Sequence, residues 1–352
     1  MAGSRVTALV VAGPSGLLEH DGGPRHPEQP SRLVAVMEGV RALGPDLELV
    51  SPDFDEASMD ELARVHDPGY LARLASFCAE GGGDIDPDTY ARPDSWTAAR
   101  RAAGAGLAAL RTLEQRGEGV AFVPVRPPGH HATADRAMGF CLVNHVAVAA
   151  ASRTALGERV LIVDWDVHHG NGTQDIFWDD PTVLYVSTHQ HPLYPGTGRP
   201  DDVGGPGAPG LTLNLPLPPG ATGDVLRAAL DQEARATIEE FGPDWVLVSC
   251  GFDAHRDDPL SDLQLSSGDF AELARIVRAF TPRPGRLALF LEGGYQRAAL
   301  ASSVEATLGA LLGGRGDVSA PTYGGPGLDQ LRADRTARRR AIDGAHEEAG
   351  SL

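Results

Sequence analysis

Short unbroken apolar runs alternate with stretches of helical periodicity, and this alternation limits the fold more than any other feature of the chain. Val160–Asp166, Val183–Ser187, Asp244–Cys250 and Arg286–Leu291 are runs of strand length with little polar alternation. Strands read this way when both faces of their sheet are covered. Val6–Ala12 could pass for a short signal core after Arg5. It reads as a first strand instead, because a His/Pro-rich loop comes directly after it. Helical patterns lie between: Ser31–Leu43 capped by Ser31, Ala-rich Pro93–Leu113 entered through Asp94 and Ser95, amphipathic Gly223–Phe241, and Leu300–Leu312. Gly196–Gly210 is rich in Gly and Pro and is expected to be a loop. The fold class predicted is α/β, with a central, mostly parallel sheet and helices on both faces.

A chain of 352 residues buries a large core without disulfide staples. No domain-scale linker appears, so residues 1–313 are expected to form one domain. Residues 314–352 are expected to be an extension, partly disordered at its end. The formal charge of −18 argues against a direct nucleic-acid binder, which would present a basic face. All 30 basic residues are Arg, a composition that fits a GC-rich genome. No apolar run approaches the ~18 residues of a membrane span. The 3 cysteines, Cys78, Cys141 and Cys250, are far apart and show no zinc-finger or redox spacing. A reducing cytoplasm is the expected location. Gly196–Gly210 and the C-terminal segment leave room for a homo-oligomer without requiring one.

The chemistry gathers where the strands end. After Val160–Val163 comes Asp164-Trp165-Asp166-Val167-His168-His169-Gly170-Asn171-Gly172. After Val246–Ser249 comes Cys250-Gly251-Phe252-Asp253, and after Leu287–Leu291 comes Glu292-Gly293-Gly294-Tyr295. Open parallel sheets bind ligands beyond the carboxyl ends of their strands. Asp166 and His168 are two apart, so an extended segment would point both to one side. With Asp253 they offer three N/O ligands and an open position, the pattern of a catalytic Zn²⁺ or Fe²⁺. The bland alternative is that Asp and His cap a helix over Thr173–Trp178. A second cluster, Arg126-Pro127-Pro128-Gly129-His130-His131, puts adjacent histidines on a turn fixed by Pro and Gly. There both can face one cavity and serve as base and acid. Alternatively they are surface-loop histidines. Their outer ring nitrogens need orienting partners, and Asp164 and Asn171 could fill that role.

Together these residues resemble the histone deacetylase family, whose members share an arginase-like α/β fold. The resemblance rests on His26-Pro27-Glu28, Arg126–Ala132, Gly139-Phe140-Cys141-Leu142-Val143-Asn144, Asp164–Gln174, Gly251-Phe252-Asp253 and Leu291–Tyr295, in order and spacing. It spans roughly residues 8–312. Asn171, Gln174 and Glu292 make it similar to the class II group, with bacterial deacetylases and acetylpolyamine amidohydrolases. The resemblance implies zinc-dependent removal of acetyl groups from acetylated lysine side chains or small N-acetyl amines. Asp166, His168 and Asp253 would hold Zn²⁺. His131 would be general base and then general acid, with His130 its electrostatic neighbour oriented by Asp164. Asn171 stands where other members place an Asp and would orient His131 without adding charge. Tyr295 would hydrogen-bond the substrate carbonyl, and Tyr rather than His there implies a working deacetylase.

Gly139, Phe140 and Tyr194 would wall the acyl-lysine tunnel, with His26, Asp88 and Leu260 in the substrate-binding set. Leu260 replaces the acidic residue of polyamine-selective relatives, while Arg256 is unexpected beside it. Structural K⁺ is implied at Asp164, Asp166, His168, Ser187 and Thr188, with an outer site near Phe177. Cys141 reads as a small buried residue. Two other functions compete. A dinuclear ureohydrolase would draw ligands from Asp253-Ala254-His255, but Asn171 stands where it needs a carboxylate. A silent acyl-lysine binding module would not need the full set of ligands, histidines and Tyr295.

Overall fold

The structure is a computed structural model that describes residues 8–13, 20–314 and 319–349. Its strands, in chain order, are β1 (Ala8–Val11), β2 (Glu48–Val50), β3 (Gly83–Asp84), β4 (Tyr90–Ala91) and β5 (Val120–Val123). They continue with β6 (Val160–Asp164), β7 (Val183–Gln190), β8 (Thr212–Leu217), β9 (Trp245–Cys250) and β10 (Leu287–Leu291). Eight of them form one sheet in the order β2-β1-β5-β10-β9-β6-β7-β8, and β3 pairs with β4 in a small hairpin. Every pairing in the large sheet is parallel. All residues of β6, β7, β9 and β10 are buried, which is why they contain the apolar runs read from the sequence.

Helices flank the sheet in two groups. Arg297–Leu311 packs against both Ser31–Ala42 and Ser267–Phe280, and Ser95–Arg116 packs with His145–Thr154. The Ser31–Ala42 helix begins where expected, but its N-cap is Pro30 and no side chain caps it. The Gly223–Phe241 pattern forms as a helix with a π-helical segment, Ala229–Ala234, set between two α-helical pieces. Val6 and Thr7 lie outside the described residues. Gly196–Gly210 contains no helix or strand.

Within the large sheet, three strands, β2, β5 and β8, carry no clear sequence signal. The first two are short, with 3 and 4 residues. The last contains Pro216, which a strand tolerates at a sheet edge because it need not donate on its free side. That edge does not stay bare. The C-terminal helix Leu328–Ala349 lies along β8, and Arg338 donates to the Asn214 carbonyl at 3.0 Å. Within the extension expected from residue 314 onward, Leu328–Ala349 form this helix, and residues 315–318 and 350–352 lie outside the described part. Among the described residues no helix is long and apolar enough to cross a membrane.

The sheet order puts β10, β9 and β6 side by side. In register, Leu291 pairs with Cys250, and Asp164 with Ser249. The polar segments beyond these three strands therefore emerge together at one rim.

Candidate active site

Asp166, His168 and Asp253 converge beyond the ends of β6 and β9, with one ligand atom from each lying within 4.8 Å of the others. His168 Nδ1 stands 3.1 Å from Asp166 Oδ1 and 3.3 Å from Asp253 Oδ2. The route to this cluster differs from the expected extended segment. β6 ends at Asp164, and residues 166–168 bend. The bend is held by backbone donation: Asp166 N to Asp164 Oδ1 at 3.2 Å, His168 N to Asp166 Oδ1 at 2.9 Å, and Val167 N to Asp253 Oδ1 at 2.9 Å. Gly293 N donates to Asp166 Oδ2 at 2.8 Å, so the end of β10 is tied in as well. A Cβ at Gly293 would stand 1.9 Å from Asp253 Oδ2, so only glycine permits this approach. Burial and the adjacent Asp166 carboxylate push the Asp253 carboxyl up to about 7. Asp253 Oδ2 receives no hydrogen bond among the described residues. Two buried carboxylates and an imidazole nitrogen crowded around one point, with an oxygen that lacks a well-aligned hydrogen bond, form a donor set that suits a cation.

The histidine pair faces this cluster, and neither ring is on the surface. His130 Nδ1 is 3.0 Å from Asp164 Oδ2, and His131 Nδ1 is 2.8 Å from Asn171 Oδ1. The two rings therefore have the partners the sequence suggested. Their electrostatics diverge. Burial opposes charge on His130, but Asp164 and Asp166 outweigh it and raise the ring to about 10. Burial, then repulsion by His130 and His168, pushes His131 well below its ordinary value. The two rings are thus pushed in opposite directions, His130 toward its charged form and His131 toward its neutral form. An acceptor at Nδ1 of a neutral ring fixes the proton there and leaves Nε2 free to accept.

A cavity of about 260 Å³ opens over the cluster. Its lining includes Asp88, His131, Phe140, His168, Tyr194 and Tyr295, with Gly139 and Leu260 also on its wall. His130, Pro128 and Leu193 complete the wall, and of these Leu193 carries no mark in the sequence. His26 does not line it. That ring packs edge-on against Phe140 at 4.7 Å and bonds the Asp88 carbonyl at 3.0 Å, bracing the wall from behind. Phe140 has φ 66°, a left-handed conformation that bulky residues rarely adopt, and it donates to Thr89 Oγ1 at 3.2 Å. Such strain, about 1–3 kcal/mol, persists where surrounding structure imposes it. Burial and nearby acids push the Tyr295 phenol well up, so it stays protonated and can donate.

The model of the histone deacetylase domain matches residues 26–311. The chain belongs to the histone deacetylase family. Among its relatives, a probable deacetylase of Archaeoglobus fulgidus is 38% identical, over 79% of each chain. A histone deacetylase-like amidohydrolase of Pseudomonas aeruginosa is also 38% identical, over 85% of this chain and 80% of that one. The crystal structure of the HDA15 HD domain superposes with a TM-score of 0.86 at 32% identity, covering 97% of this chain and 99% of that domain. The deacetylase fold is therefore shown, and the chain is a hydrolase of this family.

Two further features of this deacetylase-family site carry no signal of their role in the sequence. Glu292 reads there only as a mark of the class II group. It is fully buried, accepts from Gly129 N at 2.7 Å and His130 N at 3.2 Å, and so holds the backbone of the histidine loop. Gly139 packs so close to His131 that a Cβ would stand 2.4 Å from the ring. Of the residues expected to hold K⁺, Ser187 pairs with Asp164 across the sheet, and its hydroxyl meets His189 Nδ1 at 2.9 Å. The Thr188 hydroxyl is buried without a hydrogen-bond partner among the described residues. All 3 cysteines are free and buried, and burial pushes the Cys141 thiol well up, as suits a packing residue.

Proposed function

We propose that the chain is a zinc-dependent amidohydrolase that removes acetyl groups from N-acetylated amines, with acetyl-lysine side chains as the favoured class. One observation carries this reading: a three-ligand N/O cluster at the floor of a cavity that also presents a neutral imidazole and a protonated phenol. The donor set fits Zn²⁺, with Fe²⁺ the alternative, and the unbonded Asp253 Oδ2 is where a cation's charge is wanted. Asp166, His168 and Asp253 would hold the ion. When bound, it supplies Lewis-acid polarisation of the amide carbonyl and a more acidic water. We assign K⁺ to the Asp164 and Ser187–Thr188 region on the strength of the family resemblance and the unpartnered Thr188 hydroxyl.

The chain's own residues do the rest. His131 takes a proton at Nε2 as water adds to the carbonyl, and returns it to the amine nitrogen as the C–N bond breaks. Asn171 holds Nδ1–H and keeps the ring aimed. His130 stays charged beside Asp164 and stabilises the negative charge that develops. Tyr295 donates to the carbonyl oxygen, and this bond strengthens as that oxygen becomes anionic. Phe140 and Tyr194 stand on the cavity wall, where two rings can enclose an aliphatic stem. Leu260 on that wall offers no charge to a second ammonium group, which favours acetyl-lysine over acetylpolyamines.

A substrate panel of acetyl-lysine peptides, acetylpolyamines and longer acyl-lysines tests the reading. The expected result is the highest kcat/KM on acetyl-lysine and inhibition by a hydroxamate. A clear preference for an acetylpolyamine would overturn the substrate assignment.

A further inference from the structure

Glu28, the last residue of the His26-Pro27-Glu28 motif, has no part in the chemistry above. Its carboxylate is fully buried. Arg126, which opens the histidine loop, grips it in a bidentate pair, Nε to Oε1 at 2.7 Å and Nη2 to Oε2 at 2.6 Å. Arg32, four residues after Glu28, shares Oε1 at 3.1 Å. Other donors of Arg32 reach the second catalytic loop, with Nε to the Gly294 carbonyl at 2.7 Å and Nη2 to the Glu292 carbonyl at 2.5 Å. Its guanidinium lies 4.9 Å from the centre of the Tyr295 ring. The loop that carries His130 and His131 and the loop that carries Tyr295 thus meet on one carboxylate. Two buried guanidinium groups need a shared anion, and a rigid, charge-assisted fork fixes position as well as charge.

We infer that Glu28 is a positioning residue that sets His131 and Tyr295 in register with each other across the acetyl group. A displacement of either by a fraction of an ångström lowers transition-state stabilisation more than ground-state binding. Glu28 should therefore act on kcat and little on KM. The inference rests on the proposed deacetylase chemistry only for its kinetic readout. A second readout is independent of it. If Glu28 ties the two loops, weakening it loosens both together, and amide hydrogen exchange detects this in protein of any activity.

The test compares Glu28→Gln and Glu28→Asp with wild type, using metal-loaded protein whose melting curve shows that it is folded. For Glu28→Gln we expect a loss in kcat of about 10- to 100-fold with KM changed less than about threefold. Glu28→Asp, which keeps the charge but shortens the reach, should recover part of that loss. Exchange should rise in 126–131 and 292–296 together. Combined with Tyr295→Phe, Glu28→Gln should cost less than the product of the two single losses, since part of what Glu28 positions is the Tyr295 hydrogen bond. Should Glu28→Gln fail to fold, Glu28→Asp carries the test alone. Wild-type kcat in a folded variant, unchanged exchange in both loops, or fully multiplicative losses would overturn the inference. Wild-type protein without turnover would overturn the deacetylase reading and leave the exchange result to decide the role of Glu28.

Discussion

Two adjacent histidines pushed toward opposite charge states are the clearest outcome at the scale of single residues. Neighbouring acids hold His130 at about 10, while burial and two nearby rings keep His131 neutral. The partner behind each ring contributes to the difference, a carboxylate behind the first and an amide behind the second. In the proposed mechanism Tyr295 donates to the developing oxyanion. Tyr295→Phe should lower kcat by about 10²–10³-fold with little effect on KM, the usual cost of one oxyanion donor. Steady-state kinetics on an acetyl-lysine peptide would measure it, and an unchanged kcat would reopen the binding-module reading. Asp-x-His spacing, the His-His pair and Gly-Gly-Tyr were visible as letters because their chemistry is local. The strained backbone of Phe140 and the anchoring by Glu292 and Glu28 were not. Each depends on which loops meet in space, and a single chain carries no direct mark of that.

Elements explain why those loops meet. Strands buried on both faces wrote themselves into the sequence as apolar runs, so β6, β9 and β10 were legible together with the polar segments at their ends. Their adjacency was not, because strand order is set by crossovers rather than by composition. The edge strand β8 and the helix beside it were illegible for a related reason. A strand with Pro, and a helix dense in Arg, have weak local signals and gain their stability from each other. Arg338 is the joint, buried at 5% exposure and donating to the Asn214 carbonyl. Arg338→Ala should destabilise the fold by about 1–3 kcal/mol, the cost of leaving a buried acceptor unsatisfied. A shift of the urea midpoint to lower concentration would report it. An unchanged midpoint would mean that the helix does not need this contact.

On the scale of the whole molecule, a net charge of −18 coexists with a cationic knot behind the site, where Arg32 and Arg126 share Glu28. Burial opposes ionisation of Glu28, but the two arginines outweigh it and hold the carboxyl at about 2, below its ordinary 4.5. A lowered carboxyl contributes stability that is present above pH 4.5 and is lost as pH falls through 2. The gap corresponds to roughly 3 kcal/mol. Denaturant midpoints taken from pH 7 downward should therefore fall between pH 4.5 and 2 in wild type, and fall less in Glu28→Gln. Equal slopes in both proteins would contradict the assignment.

The proposed metal-assisted hydrolysis at Asp166, His168 and Asp253 is the chemistry on which the catalytic roles proposed above depend. Its most direct test is acetate release from an acetyl-lysine peptide by the purified protein, measured as isolated, after chelation and after Zn²⁺ is restored. The expected result is turnover that disappears on chelation and returns with about one Zn²⁺ per chain. Absence of acetate from every acetyl-lysine peptide and acetylpolyamine, in protein shown to carry metal, would contradict it.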